Sequence, residues 1–334
     1  MAKKIKDTDY LAISARIRAM ENSLLTRERM EQVLEARSDE EAAKILQECG
    51  YPDLDPTHPE AMDAALAAAR EATLADLTDG APDARYIDIF KLKYDYHNIK
   101  ALLKAQAMGT DATHMLMDMG RIGAAELKEA VETGHLEELP ATLAAAAAEA
   151  REVLDTTRDP QLSDLVLDRW CYRDMLEAAE ATGSAFLQGY VRIQIDAANL
   201  RALVRTIRMG KNAEFLRGAL LEGGEVDPET VLRVSADQGA GLTELYGPTA
   251  LGAAAEAGAE ILKGGAMTEF EKLCDDAVAD YLSGAQAVPF GEAPLVGYLA
   301  ARETEYTNLR ILLLGRSAGL APDLIRARLR RSYV

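Results

Sequence analysis

Apolar positions along the chain recur every three to four residues and almost nowhere alternate, the spacing that lays one face of an α-helix on a core. Leu66 and Leu74 in an Ala-rich run, then Leu162, Leu165 and Leu176, then Ile261, Leu262, Leu273, Val278 and Leu282, all follow it. No strand ladder stands out, and the pattern predicts an all-α fold. Helix starts are legible. Ser38-Asp39-Glu40-Glu41 reads as a capping box ahead of an apolar face, and Asp227-Pro228-Glu229 as an N-cap with proline at the first helical position. Glycine and proline collect at Gly50 to Pro59, Gly80 to Pro82, Gly223-Gly224, Gly239 to Pro248, Gly264-Gly265 and Pro289 to Pro294, which the composition marks as loops.

One pattern occurs three times. Asp95-x-x-Asn98-Ile99-Lys100-x-Leu102-Leu103, Asp196-x-x-Asn199-Leu200-Arg201-x-Leu203-Val204 and Glu305-x-x-Asn308-Leu309-Arg310-x-Leu312-Leu313 share an acid, an amide, an aliphatic, a base and two more aliphatics in one register. Eleven residues after each asparagine stands a glycine, Gly109, Gly210 and Gly319, where a helix would stop on a left-handed residue. A weaker fourth copy near the start, Arg16-Ile17-Arg18-Ala19-Met20, has Arg16 in the asparagine's place. The copies are separated by 82, 101 and 109 residues, too long for solenoid units of roughly 20–50. The expectation is three pseudo-repeated helical subdomains, residues 1–112, 113–214 and 215–334, around an approximate threefold axis. Gly120-Arg121-Ile122 and Gly224-Glu225-Val226 follow their repeat helices alike, and Leu167 to Cys171 resembles Phe270 to Cys274.

Composition narrows the function. With 334 residues and 49% hydrophobic content the chain can bury several cores, and aromatics at 5% leave Ala and Leu to fill them. A formal charge of −18 repels phosphate backbones and anionic lipid alike, which speaks against a nucleic-acid partner. The three lysines at the start are interrupted by Asp7, Asp9 and Ser14 before an apolar run can form, so no secretory signal is read and the mature chain is expected to begin near Met1. Ala141 to Ala148 is far shorter than the roughly 20 residues of a membrane span. Cys49, Cys171 and Cys274 are odd in number and widely spaced, as expected of reduced, buried thiols in a cytoplasmic protein.

No motif for chemistry is complete. Gly210-Lys211 lacks the first glycine and the hydroxyl residue of a phosphate loop, and Gly239-Ala240-Gly241 opens a dinucleotide fingerprint that Glu244 breaks. His58, His97, His114 and His135 show no ligand spacing. The best enzyme candidate is Asp275-Asp276-Ala277-Val278-Ala279-Asp280, in which Asp276 and Asp280 share a helix face as in magnesium-binding helices, though Ala279 stands where that pattern needs an acid. No cofactor or metal is expected. For Asn98, Asn199 and Asn308, with Asp95, Asp196 and Glu305 one turn earlier, two roles are open: bonding a neighbouring helix or loop inside the fold, the favoured one, or contacting a partner.

Taken together, the opening Tyr10-x5-Arg16-Ile17-Arg18-x-Met20-x3-Leu24-Leu25, the three asparagine helices and the closing Ile325-Arg326-x-Arg328-Leu329 make the chain resemble the C subunit of the V/A-type rotary ATPases, the counterpart of the d subunit in the eukaryotic vacuolar enzyme. The resemblance spans the whole length. It departs at Arg16 and over Gly239 to Gly258, which match nothing in it. It implies a non-catalytic central-stalk subunit, a funnel of helical subdomains on the cytoplasmic face that links the proteolipid rotor ring to the central stalk for ion transport or ATP synthesis. Membrane association would then be indirect, with no lipid insertion and no small-molecule substrate. The rival readings are a magnesium-dependent all-α enzyme using Asp275, Asp276 and Asp280, or a generic helical adaptor.

Overall fold

Local capping chemistry sets several helix starts in the computed structural model, which describes residues 5–52, 54 and 58–334. The expected start near Met1, Lys3 and Lys4, and part of the Gly50 to Pro59 loop lie outside the described residues. Ser38 Oγ accepts from the Glu41 amide at 3.2 Å, and Glu41 reaches back to the Arg37 amide at 2.7 Å, one residue earlier than a standard box. Asp227 accepts from the Thr230 amide at 3.0 Å with Pro228 at the first helical position. Among the described residues there are sixteen α-helices and no strand.

Two compact units partition the chain, Met1–Ala84 with Gly247–Val334, and Arg85–Tyr246. The first contains α1 (Leu11–Glu21), α2 (Arg27–Glu35), α3 (Asp39–Glu48) and α4 (Pro59–Gly80). The second runs through α5 (Arg85–Met108), α6 (Ala124–Thr133), α7 (Ala141–Thr157), α8 (Pro160–Thr182), α9 (Ala185–Arg208), α10 (Ala213–Ala219), α11 (Pro228–Ala236) and α12 (Leu242–Tyr246). The first unit then closes with α13 (Gly252–Leu262), α14 (Met267–Ser283), α15 (Glu292–Ser317) and α16 (Pro322–Arg326). Compactness and repetition are different partitions: α5 and α9 share one unit, and α15 lies in the other.

In the first unit, Val33, Leu46, Leu54, Met62, Leu309 and Leu312 join one buried cluster, so α15 is packed by α2, α4 and the chain after α3. In the second, the small faces of Ala146, Ala147 and Ala150 let α8 approach α7 closely enough for Ser163 Oγ to donate to the Ala150 carbonyl at 3.0 Å. Phe90 of α5 stacks on Tyr190 of α9 with centroids 5.6 Å apart. No helix of the described residues is long and apolar enough to cross a membrane.

Two expected loops are helical in part. Gly239 to Pro248 contains α12, because burying Leu242 and Tyr246 outweighs the poor helix propensity of its glycines, and Gly252 opens α13. Pro294 falls in the first turn of α15, where an amide has no helical acceptor to lose.

Candidate functional site

The signature residues sit in the middle of α5, α9 and α15, helices of 24, 24 and 26 residues. All three asparagines are fully buried, so their amides need partners. Each makes the same two-pronged bridge to one backbone residue of the segment that follows its helix. Asn98 donates to the Met117 carbonyl at 2.8 Å and accepts from the Met117 amide at 2.9 Å. Asn199 does so with Leu221 at 2.8 Å in both directions. Asn308 does so with Arg330 at 3.0 and 2.8 Å. A side-chain amide presents a donor and an acceptor side by side, as a backbone residue in a sheet does, and no other uncharged side chain of that length can serve both groups at once.

The acids one turn earlier extend the bridge. Asp95 accepts from the Ile122 amide at 3.3 Å and from Arg121 at 3.1 Å, and Asp196 from the Glu225 and Val226 amides at 2.9 and 3.1 Å. In both, the acid's last contact, Ile122 or Val226, stands five positions after the asparagine's contact, Met117 or Leu221. A glycine lies beneath each carboxylate: a Cβ on Gly120 would overlap Asp95 Oδ1, and one on Gly224 would overlap Asp196 Oδ1. Burial raises both carboxyls above the usual aspartate range, although their backbone bonds pull the other way. Arg121 also pairs with Asp174, which accepts a hydrogen bond from Tyr96.

The third copy uses its acid differently. Glu305 accepts from the Leu25 amide at 2.5 Å, from the Tyr51 hydroxyl and from Arg302, so it ties the chain just after α1 to α15. Burial pushes its carboxyl up to about 8, opposed by the Leu25 amide. Arg302 and Arg70 both lie over the Tyr306 ring, 4.9 and 4.7 Å from its centroid. A recess of about 10 Å³ beside Glu305 and Asn308 has room for one water and no larger ligand.

All three glycines end their helices left-handed, with φ of 65°, 64° and 67° at Gly109, Gly210 and Gly319. The next amide in each case returns to a carbonyl five residues back, Thr110 to Ala105, Lys211 to Thr206 and Leu320 to Gly315. Two of the repeat bases form ion pairs, Lys100 with Asp168 and Arg310 with Asp63. A charged, half-exposed side chain on α1, Arg16 pairs with Asp76 of α4 and makes no asparagine-like bridge among the described residues.

The acidic run on α14 holds the end of the chain. Asp275 pairs with Arg330, Asp280 with Arg331, and Asp276 accepts from the Arg331 amide at 2.8 Å. Those contacts fill the carboxylates that the enzyme reading assigned to magnesium. No cluster of three or more histidine, cysteine or acidic ligands forms among the described residues. The geometry is one of chain fastening, with donors and acceptors directed at backbone. Apart from the matching triplets Gly120-Arg121-Ile122 and Gly224-Glu225-Val226, the fastened segments share no sequence signature.

Comparison with known proteins agrees with this arrangement. The model of the ATP synthase (C/AC39) subunit family matches residues 13–328. The C subunit of the V-type sodium ATPase of Enterococcus hirae is 26% identical over 97% of this chain and 99% of its own. The C subunit of the A-type ATP synthase of Methanocaldococcus jannaschii is 26% identical over 95% of this chain and 85% of its own. The C subunit of the V-type ATP synthase of Thermus thermophilus is 26% identical over 91% of this chain and 93% of its own. The match covers the helices that bear the asparagine bridges together with most of the segments they fasten, and the chain therefore belongs to the ATP synthase (C/AC39) subunit family, structural subunits of rotary ATPase complexes rather than catalysts.

Proposed function

We propose that this chain is a central-stalk subunit that links the membrane rotor ring to the stalk and passes torque between them. What carries the reading is the family match over residues 13–328 combined with a fold whose repeated chemistry, the buried asparagine bridge, is directed at holding backbone segments. Its partners are the ring proteolipid and the stalk subunits of the same complex, and it sits on the cytoplasmic face, held to the membrane through them. The three signature helices are copies of one building unit, arranged as the three-subdomain funnel with boundaries near residues 112 and 214.

The test is reconstitution. With this chain withheld from an otherwise complete complex, the catalytic head should still hydrolyse ATP while ATP-driven ion uptake into vesicles is lost; adding the purified chain back should restore uptake. Uptake that is full without the chain, or a chain that co-purifies with neither ring nor stalk, would refute the proposal.

A further inference from the structure

Along the outer side of α8 runs an open groove of about 640 Å³, lined by Glu149 of α7, by Arg169, Trp170, Arg173, Leu176, Glu177 and Glu180 of α8, and by Glu222 and Gly223. From Arg169 to Glu180 it extends along three turns of helix, roughly 16 Å. Its walls are held in place. Glu149 accepts from both Trp170 Nε1 and Arg169 at 2.7 Å, and Arg173 stacks over the Trp170 ring at 4.9 Å while donating to Glu177 at 2.9 Å. At one end Gly223, with φ of +94°, is pressed so closely on Leu176 that a Cβ there would overlap it. The absent side chain lets the backbone pack on one side of Leu176, which stays half-buried and lines the groove with the rest of its surface.

Charge decides what fits. Four glutamates face two arginines, and both arginines are paired within the groove, Arg169 with Glu149 and Arg173 with Glu177. Glu180 and Glu222 are exposed and form no ion pair among the described residues. The groove thus offers an aromatic and an aliphatic surface beside two uncompensated carboxylates, a setting that repels anions and attracts an apolar side chain followed by a cation.

We infer that this groove is the seat of a cationic amphipathic helix of a partner protein, with its apolar residues on Trp170 and Leu176 and its lysines or arginines on Glu180 and Glu222. The inference rests on the reading that the chain works by protein contact within its complex, and it adds where one such contact is made and its chemistry. Trp170 is the single tryptophan of the chain, so its emission reports on this groove and not on other acidic surface. The full chain is titrated with a synthetic Lys/Leu amphipathic helical peptide and, separately, with its Glu/Leu counterpart. The Lys/Leu peptide should give a saturable change in tryptophan emission that weakens with salt, and the Glu180→Lys/Glu222→Lys variant, both sites being exposed, should bind it about ten-fold more weakly while gaining the Glu/Leu peptide. Silent emission, or equal titrations for wild type and variant, would overturn the assignment. So would a homodimer in sedimentation that the variant dissolves, which would make a second copy the occupant. Co-purification with ring and stalk is scored separately, so failure of the subunit reading is told apart from failure of the groove.

Discussion

Replacing Asn199 with alanine strips Leu221 of both its backbone partners at once. The asparagine is fully buried and Leu221 nearly so, and the two bonds are 2.8 Å each. A buried backbone group left without a partner costs about 1–3 kcal/mol, and water entering the space vacated by the amide offsets part of the sum, so a loss of about 2–4 kcal/mol is expected. The unit that contains Asn199 has about 160 residues, a size at which each kcal/mol moves the melting temperature by about 2–4 °C, which gives a fall of roughly 4–16 °C. Trp170 belongs to the same unit, and a fluorescence-detected melt therefore reads the right transition. Asn199→Asp supplies a second arm. As a carboxylate it would turn an acceptor toward the Leu221 carbonyl, whereas protonated it donates there and still accepts from the amide. Its folded pKa is thus raised, and its deficit against wild type should shrink as pH falls from 7 to 5. An Asn199→Ala protein melting within about 1 °C of wild type would refute the bridge as a stabilising element; if that protein also failed to assemble, the asparagine would be a partner contact instead.

Further outcomes follow from the same geometry. Gly224→Ala should cost about 2–4 kcal/mol in urea denaturation, since its methyl displaces Asp196 from the Glu225 and Val226 amides, while Gly218→Ala, with open space around it, should be near neutral; equal stabilities would contradict the close approach. Glu305 is raised to about 8 when folded from an ordinary value of 4.5, so the folded state holds the extra proton between those values and the group's contribution to stability declines as pH rises through that window. Glu305→Gln keeps an acceptor for the Leu25 amide and should flatten that decline, and an unchanged pH profile would show that Glu305 does not cause it. Because Asp275, Asp276 and Asp280 already hold Arg330 and Arg331, magnesium should leave the melting temperature unmoved; a ligand at 100 times its dissociation constant would add about 2.7 kcal/mol, and a rise of several degrees would restore the enzyme reading.

Much of the fold was legible from residues alone where the cause is local. Ser38, Asp227 and the glycines at 109, 210 and 319 act within four or five residues of chain, and each behaves as its local chemistry requires. The asparagine bridges were half legible. Their register was visible, but Met117, Leu221 and Arg330 receive them through backbone atoms, which every residue possesses and which leave no mark on side-chain identity. Only Gly120 and Gly224 hinted at the crowding. The link from Glu305 to Leu25 spans 280 residues and had no signal in the repeat, whose other two acids look forward along the chain. Over Gly239 to Pro248, glycine content pointed to a loop, while tertiary burial of Leu242 and Tyr246 made a short helix of its middle.

The placement of the bridges also has a mechanical consequence. A segment attached to the end of a helix loads its last turn, where hydrogen bonds open one after another as the helix frays. Here the following segment doubles back and is fastened eleven residues before the terminal glycine, about 16 Å inside the helix. A pull on that segment reaches the rod at its waist, through two bonds strained together rather than in turn, and the terminal glycine turn is left slack. The helix can then be displaced only as a whole, so each of the three signature helices behaves as a beam gripped at its middle.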